Sequence, residues 1–118
     1  MDVFVDAIIG PLSVTGSLHL NAVQNAKGTT LHANLSNTKA VDQTTGDRYR
    51  GTGSEKTTVP TGPGEINWSP TFTFVSPNTV FNVANITKVV FNLVITLDSA
   101  GEIQSARLAS LSEALPRP

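Results

Sequence analysis

The chain reads as an all-β domain, most simply an antiparallel barrel-like meander, with a two-sheet β-sandwich as the alternative. Three observations predict this. Apolar and polar residues alternate with period two in several segments, the signature of strands buried on one face. Thr, Ser and Asn are abundant while charged residues make up only 14% of the 118 residues. β-branched Thr suits strands, and Ser and Asn compete with helix hydrogen bonds. Short turns containing Gly or Pro punctuate the chain throughout. The length suits one domain spanning residues 1–118, large enough to bury about two thirds of its unfolded surface without staples.

Residues 3–9 read as a first strand, broken by Gly10-Pro11. Residues 14–23 alternate well, with Val14, Gly16, Leu18, Leu20 and Ala22 on one face. Residues 24–28 form a hairpin loop in which Gly28 is placed for positive φ. Residues 29–37 return as a strand with Leu31, Ala33 and Leu35 inward, and residues 39–43 read as a separate short strand. Thr44-Thr45-Gly46-Asp47 is a turn, followed by a strand at 48–53 carrying exposed arginines and another at 55–60. Thr61-Gly62-Pro63-Gly64 is the strongest punctuation. In 65–75, Pro70 cannot donate to a ladder and marks an edge, a bulge or a split between two strands. Ser76-Pro77-Asn78 ends that segment, and a short strand follows at 79–83.

Residues 87–97 are the clearest strand: Val89, Phe91, Leu93, Ile95 and Leu97 alternate with Lys88, Val90, Asn92, Val94 and Thr96. Val90 and Val94 make its second face partly apolar, which calls for cover on both sides or a cavity. After the Asp98–Gly101 turn, residues 102–111 come back with Ile103, Arg107, Ala109 and Leu111 on one face and Gln104, Ala106, Leu108 and Ser110 on the other. The segment 109–115 could begin a helical turn, stopped by Pro116 and Pro118. Phe72, Phe74, Phe81 and Phe91 are the expected aromatic core.

Several function classes are disfavoured. A net charge of -1 with no basic tract argues against nucleic acid as a partner. The absence of cysteine removes disulfides, thiolate metal sites and thiol nucleophiles. No apolar run approaches the ~20 residues of a transmembrane helix, and residues 1–10 lack the basic start of a signal peptide, so an exported form is expected to have had its signal removed. His19 and His32 fall short of the ligand set of a zinc site, and no metal or other cofactor is expected. No Gly-x-Ser-x-Gly elbow occurs, and the glycines at 51, 53, 62 and 64 lack the strand–loop–helix frame of a phosphate cradle. Arg48, Arg50 and Lys56 read as a solvated strand face.

What remains for ligand binding is Trp68 and Tyr49, the single tryptophan and tyrosine, with His19, His32, Val90 and Val94. Trp68 reads first as a core or rim plug and second as a stacking platform.

The segments Thr44-Thr45-Gly46-Asp47-Arg48-Tyr49, Gly51-Thr52-Gly53 and Phe91 through Ile103 resemble a group of small bacterial all-β proteins, often exported and mostly without assigned function. The resemblance spans about residues 12–111. Members often carry an early and a late cysteine, which this chain lacks. The resemblance implies a bacterial, exported, non-enzymatic protein and supplies no catalytic residue.

Three readings are therefore open. The first is a non-enzymatic binding or accessory module holding a small apolar molecule. The second is a structural or assembly protein acting through homo-oligomerisation. The third is a small cofactor-free barrel enzyme of cyclase or isomerase type.

Overall fold

A computed structural model describes residues 1–78 and 83–115, and the side chains of all of these except 77, 78, 83–85, 114 and 115. The expected strand at 79–83 falls mostly outside the described residues, as do Phe81 and the prolines at 116 and 118. The described residues form β1 (Asp2–Ile9), β2 (Leu12–Asn25), β3 (Gly28–Asp42), β4 (Arg48–Thr52), β5 (Ser54–Val59), β6 (Gly64–Trp68), β7 (Thr71–Asn78), β8 (Val83–Leu97) and β9 (Ile103–Leu115), with no helix among them. No helix is long and apolar enough to cross a membrane.

All pairings are antiparallel and belong to one sheet. β4 and β5 lie end to end along β3, separated at Gly53. β6 and β7 lie end to end along β8, separated at Ser69-Pro70, so Pro70 does divide two strands. Counting each broken pair as one lane, the chain makes an up-and-down meander of seven lanes. The sheet curls nearly shut into a barrel of 52 × 22 × 21 Å. Its length is set by β3 and β8: each has 15 residues, which span roughly 50 Å at about 3.3 Å per residue.

The interior is packed. Phe72, Phe74 and Phe91 sit at its centre with Leu12, Leu18, Leu20, Leu31, Leu93, Ile95 and Leu97, all essentially inaccessible. Phe72 meets Phe91 edge-on at 5.3 Å, and Phe74 stacks on Phe91 at 6.3 Å. The buried Thr38 hydroxyl donates to Ser17 O at 3.0 Å, and the side-chain amide of Gln24 donates through Nε2 to Gly101 O at 2.8 Å, pinning the β8–β9 turn against β2.

Bulges set the phase of the long strands. Gly16 of β2 stands opposite both Asn37 and Thr38 of β3, with Asn37 in the left-handed region at φ 51°. A bulge adds one residue and so exchanges the faces beyond it. Leu31 and Ala33 point inward before it, and Thr38, Ala40 and Asp42 after it, so the segments expected at 29–37 and 39–43 are one strand. β9 carries three such irregularities against β8, leaving Gln104, Ala109 and Ala114 as the extra residues. They correct the expected face assignment. Ile103, Ala106, Leu108 and Leu111 pack on the core, while Arg107 and Ala109 are exposed. Residues 109–115 continue as strand rather than beginning a helical turn, and β7 runs through Pro77 to Asn78.

Candidate functional site

The lane count determines how the two edges of the barrel meet. In a meander each lane reverses direction, so with an odd number the first and last lanes run the same way. β1 and β9 are therefore parallel neighbours. Met1 lies beside Glu102 and Ile103 at one end, and Gly10 beside Glu113 at the other. No ladder joins them, although they approach closely enough to bring Cα atoms within 8 Å. Strand direction and the bulges of β9 both work against closure. A bulged strand bends and twists, so its free edge does not offer β1 an even row of donors and acceptors.

β1 itself is regular, paired residue for residue with β2 from Asp2 to Ile9. Leu20 N donates to Met1 O at 2.8 Å and Met1 N to Leu20 O at 2.9 Å, a doubly bonded pair. Doubly bonded pairs recur at every second residue in an antiparallel ladder. Val3, Val5, Ala7 and Ile9 therefore spend their N–H and C=O groups on β2. The corresponding groups of Asp2, Phe4, Asp6 and Ile8 point into the seam. The side chains of these four residues also lie on the outer face, and Phe4 is 84% and Ile8 66% exposed.

Between the two edges runs a crevice of about 550 Å³. One lip is formed by Asp2, Phe4 and Asp6, the other by Arg107, Leu108 and Ala109. Asp2 is engaged, its Oδ1 lying 2.8 Å from His19 Nδ1 on β2. Asp6 and Arg107 face the crevice from opposite lips without bridging it. The second lip is braced from behind: Asn92 Nδ2 donates to Ser110 Oγ at 3.0 Å and Ser112 Oγ at 3.1 Å, and Asn92 Oδ1 accepts from Ser69 Oγ at 2.8 Å.

No family model, curated protein or solved structure matches the chain. The site must be read from its own geometry.

The six residues singled out from sequence are not brought together. Tyr49 is buried in the core. Trp68 pairs with inward-facing Leu93 and packs against the core from the inner face. Val90 and Val94 lie on the outer face, opposite Thr71 and Asn67 respectively, each half-buried by its neighbours. His19 and His32 sit diagonally on the outer face of the β2–β3 ladder, since His19 pairs with Asn34 and His32 with Asn21. His32 borders an open dish of about 420 Å³ with Glu55 and Lys56. Among the described residues no group of three or more His, Asp or Glu is placed to hold a metal ion.

The seam residues had no distinguishing chemistry in the sequence. The one available signal was Phe4, a large aromatic whose place between Val3 and Val5 puts it on the polar face with Asp2 and Asp6.

Proposed function

We propose that this protein is a non-enzymatic binding or accessory module whose working site is the open seam between β1 and β9. The carrying observation is the parallel, unladdered meeting of the two edges, with the backbone groups of Asp2, Phe4, Asp6 and Ile8 directed into the gap. A free, regular edge beside an exposed aromatic is a surface for which burial and pairing are both favourable. The packed interior supports moving the site from the barrel lumen to its wall: Phe72, Phe74 and Phe91 occupy the space that an enclosed apolar ligand would need. The reading includes the exported, bacterial setting that the sequence resemblance implies. Assembly of identical copies is the second reading, favoured by the exposure of Phe4 and Ile8 on the same edge.

Native mass spectrometry of the wild-type chain and of Phe4→Lys tests the proposal. Wild type is expected to carry a partner mass or further copies, and Phe4→Lys to lose them while keeping its circular dichroism spectrum. Association that survives the substitution unchanged would place the binding surface elsewhere and sink the reading.

A further inference from the structure

We infer that the outer face of β3 and β4 carries a site, apart from the seam, at which Lys39 and Arg50 together take a doubly charged phosphate group. It stands whether or not the seam binds anything. By sequence Arg48 and Arg50 group with Lys56, but the fold regroups them. Lys56 passes to β5, beyond the break at Gly53, and pairs with His32. Arg50 stands directly opposite Lys39 of β3, and Arg48 opposite Val41. Asp42 N donates to Asp47 O at 2.9 Å, which fixes a hydrogen-bonded pair at that end of the β3–β4 ladder. Such pairs alternate, so Ala40 and Tyr49 form the next one. Lys39 and Arg50 then fall at a non-hydrogen-bonded position, where Cα atoms stand about 4.5 Å apart and side chains are closest. Ala40 and Tyr49 are buried, and the two cations beside them are exposed on the outer face.

Like charges directly opposite each other destabilise a ladder. Neither side chain forms an ion pair or hydrogen bond with a described residue. The acids nearby do not relieve the pair. Asp42 faces inward, its Oδ1 accepting from Thr44 N at 2.8 Å and Thr45 N at 3.1 Å. Asp47 lies in the β3–β4 turn beside Arg48, and Asp6 is two strands from Lys39, beyond Thr15. Lys88, opposite Thr73 of β7, adds a further cation to the same outer face. The ladder ends at Lys39 and Arg50. Beyond it β3 bends at the bulge of Asn37 and Thr38 against Gly16. A concavity of about 210 Å³ opens there, lined by Asn37, Thr38, Lys39, Arg50 and Gly51. A water takes about 30 Å³ in the liquid, so a tetrahedral oxyanion enters with part of its hydration. The guanidinium offers a planar fork to a pair of its oxygens and the ammonium a point charge to another, with the Asn37 amide as a neutral donor at the rim. A dianion matches two cations, whereas a single carboxylate leaves one of the charges unbalanced.

The probe is inorganic phosphate, titrated into the full chain at mildly alkaline pH, where it is a dianion, with ionic strength held constant by chloride. The amide resonances of Lys39, Arg50 and Gly51 are expected to shift saturably, and the melting temperature to rise with phosphate as it does for any ligand of the folded state. Lys39→Thr and Arg50→Thr should each weaken the apparent affinity about ten-fold or more, because a charge-assisted hydrogen bond is lost. Both place a β-branched residue at an exposed strand position, so folding is retained. Lys27→Thr, in the turn between β2 and β3, should leave the affinity unchanged. Vesicles of phosphatidylcholine containing phosphatidic acid separate the sources of the group. Retention of the chain on them, lost in the same two variants, assigns it to a lipid headgroup, and phosphate shifts without retention assign it to a soluble phosphate. Resonances that fail to shift saturably with phosphate, or that respond equally in Lys39→Thr and Arg50→Thr, overturn the inference.

Discussion

Gly51 of β4 sits opposite Phe74 of β7. A Cβ at that position would lie 2.6 Å from the ring atoms of Phe74 and 2.9 Å from Leu35 Cδ1. The glycine is there for space rather than for backbone conformation, because Cε2 and Cζ of the ring occupy the place of a Cβ. Gly51→Val should therefore destabilise by ~1–3 kcal/mol through overpacking, read as a lower urea midpoint with an unchanged slope. Phe91 contacts the rings of both Phe72 and Phe74, and Phe91→Ala should cost more, ~3–5 kcal/mol, through lost burial and the cavity left behind. At the other extreme is the His19–Asp2 pair, whose side chains are 52% and 62% exposed. Solvent screens such a pair, so His19→Ala should change stability by less than about 0.5 kcal/mol. A larger loss would mean that this contact, rather than the β1–β2 ladder, fastens β1.

The strands themselves were largely legible. β2, β8 and the hairpin turn at 26–27 follow directly from alternation and from Gly28, whose φ is 138°. The phase of β3 and β9 was not legible, because a bulge is one extra residue whose identity nothing local demands. Asn37 is a residue type that tolerates left-handed φ, yet it sits in a stretch where Ser, Asn and Thr are ordinary. Ala109 carries no mark at all. Ladder pairing against β8 makes it an insertion, and that pairing is a long-range fact. Deleting Ala109 tests the argument. Either Ile103, Ala106 and Leu108 or Leu111 would then have to turn outward, at a cost on the order of 3 kcal/mol or more. A deletion variant with near wild-type thermal stability would show that β9 can re-register freely. Asn92 acts on the same element by holding β9 just beyond that bulge, through Ser110 and Ser112. Asn92→Ala should loosen β9 by about 1 kcal/mol and raise hydrogen exchange in β9 more than in β2.

The candidate site was illegible for a different reason: it lies where the first and last strands of the sheet meet, a long-range fact. Trp68, Tyr49, the histidines and the extra valines stood out by chemistry, but the seam is made by counting. Seven lanes leave first and last parallel, and the direction in which the two edges meet depends on a lane count that broken strands such as β4/β5 and β6/β7 conceal. The acids of β1 fit this view from both sides. Asp2 and Asp6 on an exposed edge discourage uncontrolled pairing between copies, and the bulges of β9 do the same on the opposite lip. The edge is thus guarded against flat, apolar strands while β1 itself remains regular. Hydrogen exchange on the unliganded chain follows from this architecture without any partner. The amides of Phe4, Asp6 and Ile8 point into an unladdered seam, whereas those of Val3, Val5 and Ala7 are bonded to β2. Exchange along β1 should therefore alternate, fast at even and slow at odd positions, with the slow set approaching the protection of β8, which is paired on both sides. Uniform protection along β1 would mean that β1 and β9 pair in solution, closing the barrel as a parallel seam and removing the site. Uniformly fast exchange would mean that β1 detaches from β2 as a unit, leaving no fixed edge at the seam.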